Sequence, residues 1–264
     1  MIILDQLKRE LHLDQTPVRI ISLVPSQTEL LVDLGLEDHI VGITKFCVHP
    51  GHLRKHKTIV GGTKEVDFEK IRSLDPDIIL CNKEENTPEM VKELEKISTV
   101  YVSDVISIDD AMEVIRDFGT IFNRRPLSAS LMESFKIQFS GFKKLYKEPR
   151  RVVYFIWRKP WMAAGKNTFI NSLLELNNWE NIAGNAESRY PEIEIENFTG
   201  LNPDLVLLSS EPFPFREKHK QEINSHYKGP IALVDGEYFS WYGSRLLPAL
   251  EYFRDLQMKL SSSL

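Results

Sequence analysis

The stretch VDFEKIRSLDPDIILC (66–81) decides the fold, because IEIENFTGLNPDLVLLS (193–209) repeats its pattern 127 residues later. Both run acid, apolar, Glu, then Leu-x-Pro-Asp ahead of an apolar run. The residue before a proline is pushed out of the helical region, so Leu-x-Pro-Asp ends a short helix. The unbroken apolar run behind it suits a strand covered on both faces, as in a parallel sheet. A weaker pair, LLVDLGLEDHIVG (30–42) and SLLELNNWENIAG (172–184), recurs in a related order. A repeat of about half the chain reads as two homologous lobes, not a solenoid.

Outward from these segments, strands and helices alternate. Strands are predicted at 18–23, 39–43, 77–81 and 99–102, with helices at 26–34, 66–74 and 87–97, Ser26 serving as the first N-cap. Helical patterning then fills 108–122, breaks at Pro126 and resumes over 127–146, with Leu127, Leu131, Phe135, Phe142 and Tyr146 on its apolar spacing. A helix of that length covers roughly 30 Å and can act as a stiff strut. The alternation restarts with strands at 151–157, 204–208 and 230–234 and helices at 167–176, 193–201, 215–225 and 244–260. The expected class is α/β: an N-terminal lobe at 1–107, a helical linker at 108–148 and a C-terminal lobe at 149–264.

The chain has 264 residues, 42% hydrophobic and 27% charged, enough for a large core without metal or disulfide staples. Its net charge of −5 argues against nucleic acid as a partner. Two cysteines, Cys47 and Cys81, make no disulfide framework. No apolar run is long enough to span a bilayer, and the start, MIILDQLKRELHLDQTPVRI, shows no signal-peptide pattern. As given, the expectation is a cytoplasmic monomer; removal of a signal sequence would instead make it periplasmic or extracellular-facing.

RIISLVPSQTELLVDLGLEDHIVGIT, VGGTKEVDFEKIRSLDPDIILC, MAAGKNTFINSLLELNNWENIAG and RYPEIEIENFTGLNPDLVLLSS follow one another in the order of a known family. Over about 17–252 the chain resembles the substrate-binding proteins of ABC importers for vitamin B12, ferric siderophores and haem, most nearly the vitamin B12 binders. The resemblance implies two Rossmann-like lobes joined by a single long rigid helix, with the ligand in a cleft between the lobes. It implies a large metal-chelate ligand, a corrinoid first and haem or a ferric siderophore next, and no catalytic cofactor. It further implies docking onto an ABC permease through one glutamate per lobe, Glu69 and Glu196.

In open α/β sheets ligands sit beyond the carboxyl ends of the strands. The residues gathered there are Ser26, Gln27, Lys45, Phe46, Cys47, His49, Thr63 and Asn82 from the first lobe. From the second come Trp157, Trp161, Arg189, Tyr190, Phe213, Phe239, Trp241 and Arg245. The aromatics could wall a flat ligand, each ring burying 150–250 Å². Lys45, Lys64, Lys83, Arg158, Arg189 and Arg245 could pair with carboxylates or phosphate. Thr63 and Asn82 stand where vitamin B12 binders carry aromatics, and His49 replaces another.

Cys47 and His49 form a Cys-x-His pair that could ligate cobalt, iron or zinc, with Cys81, Glu84, Glu85 or Glu211 as a third ligand. The same pair could act as nucleophile and base. Two alternatives to a receptor therefore stand: a cytoplasmic corrinoid- or metal-handling enzyme using His49 with Glu84 or Glu85, and a direct transition-metal-binding protein using Cys47 and His49. No phosphate loop, His-Glu-x-x-His or Gly-x-Ser-x-Gly motif occurs.

Overall fold

The computed structural model describes residues 1–143 and 149–262. The chain divides into two compact α/β units. The first holds Met1–Val105, Asp109–Phe135 and Trp241–Leu246; the second holds Ile106–Ile108, Lys136–Ser240 and Leu247–Leu264.

The first unit opens with a hairpin, β1 (Ile2–Leu4) and β2 (Glu10–His12), that the sequence reading did not anticipate. Its main sheet contains β3 (Ile20–Ser22), β4 (Ile40–Ile43), β5 (Thr58–Ile59), β6 (Ile78–Asn82) and β7 (Thr99–Ser103). All are parallel, in the order β5-β4-β3-β6-β7. Strand order reverses beside β3, so the switch point lies between β3 and β6. Ile21, Leu23, Ile79, Cys81, Val100 and Val102 alternate onto one face and pack with Ile71, Val91 and Leu94 from its helices. The other face meets Ile108–Ile121, where Tyr101 lies edge-on to Phe118 at 5.6 Å.

The outward groups of β7 are met by side chains from the hairpin tip. Arg9 Nη2 donates to the Val100 carbonyl at 2.9 Å, Asp5 Oδ2 accepts from the Val102 amide at 3.2 Å, and Gln6 Oε1 accepts from the Asp104 amide at 2.9 Å. Asp5 is buried, pairs with Arg9 at 2.6 Å and also accepts the Leu7 and Arg9 amides.

The second unit contains β8 (Arg150–Trp157), β9 (Met162–Ala163), β10 (Trp179–Asn181), β11 (Leu205–Ser209) and β12 (Ile231–Val234). The order is β10-β8-β11-β12, parallel, with β9 antiparallel to β8. Val153, Phe155, Val206 and Leu208 face Phe198, Phe215 and Ile223. The helix Arg125–Lys143 carries the unit boundary after Phe135. Its expected continuation to Tyr146 lies outside the described residues.

The repeat survives in atomic detail. Asp77 Oδ2 accepts the amides of Val18 and Arg19 at 2.8 Å each, and Asp204 Oδ2 accepts the amide of Arg151 at 2.8 Å. Arg19 Nε donates back to the Leu74 and Asp75 carbonyls, and Arg151 Nη1 to the Asn202 carbonyl. Asp75 and Asn202 both adopt positive φ, 45° and 43°, the left-handed turn that ends each helix before its proline. Ser98 and Tyr227 hydroxyls bond the carbonyls of Pro76 and Pro203.

Ser26 and the 193–201 segment depart from expectation in kind. Ser26 is not an N-cap: the helix is Pro25–Asp33, with Val24 as cap and proline in the first turn, where its missing N–H costs nothing. The segment 193–201 is a 3-10 turn, Ile195–Asn197, followed by the helix Phe198–Leu201. Among the described residues no helix is long and apolar enough to cross a membrane.

Candidate functional site

The carboxyl ends of the first unit's strands carry two different kinds of surface. Over β4 and β5, Lys45 and Phe46 are exposed; Phe46 is 49% accessible and Lys45 Nζ lies 5.2 Å from its ring centroid. Both pack over Gly62, where a Cβ would meet Phe46 Cε2 at 3.3 Å and Lys45 Cε at 3.5 Å, so glycine lets them approach. Thr63 stands beside them, half-buried, its carbonyl taken by Asn86 Nδ2 at 2.8 Å. Lys64 Nζ bonds the Glu84 carbonyl. From Lys45 to Lys64 the chain has five Lys or Arg and no Asp or Glu, a cationic stretch in a protein of net charge −5.

Over β3, β6 and β7 the polar side chains turn inward. Ser26, Gln27, Asn82 and Ser103 are buried. Gln27 Nε2 and Asn82 Nδ2 donate to the Tyr242 hydroxyl at 2.9 and 3.2 Å, and Ser103 Oγ lies 3.0 Å from it. Asn82 Oδ1 accepts the Glu84 and Glu85 amides, which folds the 82–86 loop. Burial pushes the Tyr242 phenol well above its ordinary range.

Trp241 and Arg245, expected on the second lobe, belong to the first unit and are buried there. The Arg245 guanidinium lies 5.2 Å from the Trp241 ring, and His49 meets Trp241 edge-on at 5.5 Å. Gly243 has a φ of +82° and sits where a Cβ would come within 3.2 Å of Leu30. Only glycine holds both that turn and that approach.

Cys47 and His49 have different neighbours. Cys47 is buried with its Sγ against Thr28 Oγ1 at 3.1 Å and Thr44 Oγ1 at 3.3 Å, while His49 faces Trp241. Burial raises the Cys47 thiol, which disfavours the thiolate that both metal ligation and nucleophilic attack need. Cys81 lies in the core beneath the sheet. Among the described residues no three His, Cys, Asp or Glu gather as a metal would require.

In the second unit, Trp157 ends β8 at 41% exposure and meets Phe213 edge-on at 5.8 Å. Trp161 stacks on Phe215 at 5.5 Å and contacts Phe155. Arg189 lies 5.9 Å from the Tyr190 ring, and Gly165 fits closely under the 188–191 loop, bonding the Arg189 carbonyl. Arg158 Nε pairs with Glu222 at 2.7 Å. Phe239 corrects the sequence expectation: it is a fully buried core residue among Tyr154, Trp179, Tyr252 and Phe253. Glu69, in the first turn of Phe68–Ser73, and Glu196, in the 3-10 turn, are both exposed.

A family model described as periplasmic binding protein matches residues 20–227. The chain belongs to the periplasmic binding protein family. Members of this family are substrate-binding proteins and not enzymes. An ABC transporter substrate-binding lipoprotein of Bacillus subtilis is 25% identical over 94% of this chain and 82% of its own. A vitamin B12-binding protein of Vibrio cholerae is 24% identical over 72% of this chain and 70% of its own, and a cobalamin-binding protein of Halobacterium salinarum 26% over 74% and 54%. Among solved structures, the periplasmic vitamin B12-binding protein of Vibrio cholerae superposes with a TM-score of 0.74 at 20% identity, covering 90% of this chain and 95% of the other. A possible iron-binding periplasmic protein of Staphylococcus epidermidis superposes at 0.77 and 24% identity, covering 91% and 98%. These likenesses show the family's two-lobe α/β fold.

Proposed function

We propose that this chain is the substrate receptor of an ABC-type importer, that it works on the outer side of the membrane, and that its ligand is a corrinoid. The observation that carries the reading is the exposure of Phe46 and Trp157, flat apolar rings left uncovered at the carboxyl ends of the strands. Each ring offers a flat apolar face that a planar ligand can cover. Lys45 and Lys64 suit polar or anionic groups at the rim of such a ligand. The vitamin B12- and cobalamin-binding relatives support a corrinoid over other metal chelates. Exposed Glu69 and Glu196 would meet the permease. The direct-metal alternative has the buried, hydrogen-bonded setting of Cys47 against it.

Titration with cyanocobalamin, cobinamide, haemin and a ferric siderophore, followed by absorbance and melting temperature, tests the reading. Saturable binding of a corrinoid at micromolar or tighter affinity is expected. Binding of haemin or the siderophore alone would overturn the corrinoid assignment, and silence from all four would overturn the receptor reading.

A further inference from the structure

We infer that Tyr242 is an internal ligand of the first unit's switch-point crevice, a guest supplied by the chain itself that closes this crevice to outside molecules. In a doubly wound sheet the crevice between the carboxyl ends of the two strands flanking the order reversal is the favoured ligand site. Here those strands are β3 and β6. Gln27 follows β3, Asn82 ends β6 and Ser103 ends β7, and all three converge on one phenol oxygen at 2.9, 3.2 and 3.0 Å. Several buried polar side chains converging on one point are the chemistry of a small-molecule site.

The phenol arrives on a segment distant in sequence, Trp241–Leu246, held before it by the edge-on contact of Trp241 with His49 and after it by two further contacts. Gly243 turns the backbone at positive φ against Leu30, and Arg245 pairs with Glu29. Tyr242 is thus a specificity-determining residue. It removes Gln27 and Asn82 from recognition and leaves Lys45, Phe46, Thr63 and Lys64 as the first unit's recognition surface. That last consequence rests on the receptor reading; the occupancy of the crevice does not.

The experiment is cavity rescue with phenol as probe. Y242A vacates a phenol-shaped, polar-ended space. Phenol at 10 mM should raise its melting temperature by about 2–4 °C, saturably, and that of the wild type by less than about 1 °C. Toluene, the same ring without the hydroxyl, should give less than half the shift. Equal shifts in Y242A and wild type, or none in either, would overturn the inference. Should Y242A not fold, Y242F decides: loss of the hydroxyl takes one hydrogen bond from each of Gln27, Asn82 and Ser103, which keep their bonds to one another and to the Cys81 carbonyl, so its melting temperature should fall by about 2 °C, and an unchanged value would overturn the inference. Because no transported ligand enters either measurement, the result is separate from that of the corrinoid titration.

Discussion

The Arg245 guanidinium pairs with Glu29: Nε donates to Oε2 at 2.9 Å, and Nη2 lies 2.8 Å from Oε1. Burial raises the Glu29 carboxyl above its ordinary value of 4.5 in spite of that cation, so desolvation outweighs attraction. Breaking such a pair should cost more than removing it. Arg245→Met alone is expected to lose about 3–5 kcal/mol of stability, and Glu29→Leu with Arg245→Met markedly less. Chemical denaturation of the singles and the double checks this; an additive double would contradict it.

Asp117 makes stability depend on pH. Its carboxylate accepts the Tyr101 hydroxyl at 2.7 Å, yet burial lifts it from 3.8 to about 6. The folded state therefore holds this proton more tightly than the unfolded chain. Stability contributed by the group is full below about pH 4 and is lost as pH rises through about 6. Allowing for screening of a partly exposed carboxylate, the loss is about 1–2 kcal/mol. Asp117→Asn should flatten the pH profile between 4 and 6.5 in denaturant titrations; an unchanged slope would assign the proton elsewhere.

Phe46→Ala and Trp157→Ala should leave melting temperature within about 2 °C, since both rings are exposed, and weaken corrinoid binding about 10- to 50-fold. Phe239→Ala should do the reverse at first sight: a core cavity costs about 3–5 kcal/mol, with affinity unchanged in whatever fraction folds. Paired calorimetric and thermal data would separate the two kinds of aromatic.

Asp77→Ala strips an acceptor from two backbone amides and Asp204→Ala from one. Expected losses are about 1–2 kcal/mol for the first and about half that for the second. Asparagine at either place keeps a carbonyl oxygen and should restore part of the loss. Equal melting temperatures for Asp77→Ala and wild type would refute the assignment.

These two aspartates also show what the sequence made legible. Leu-x-Pro-Asp announces a helix end and a strand start because proline and a short acid act locally, and both starts fall within one or two residues of expectation. Long-range placement left no such mark. Nothing periodic tells that Tyr242 and Arg245 seat in the first unit, or that Phe239, three residues earlier, seals the core of the second. Aromatic residues in loops read alike whether they are walls or ballast. The hairpin leaves no mark in the sequence because its strands are three residues each, too short for alternation to show, and its working residues sit in the turn between them.

That turn has a consequence for how the molecule behaves in a crowd. A bare outer strand invites stray chains to add themselves, the route to aggregation. Asp5, Gln6 and Arg9 spend their side chains on the groups a newcomer would need, so the rim of this sheet recruits nobody. Asp5→Ala with Arg9→Ala should turn a well-behaved solution into one that scatters light as concentration rises.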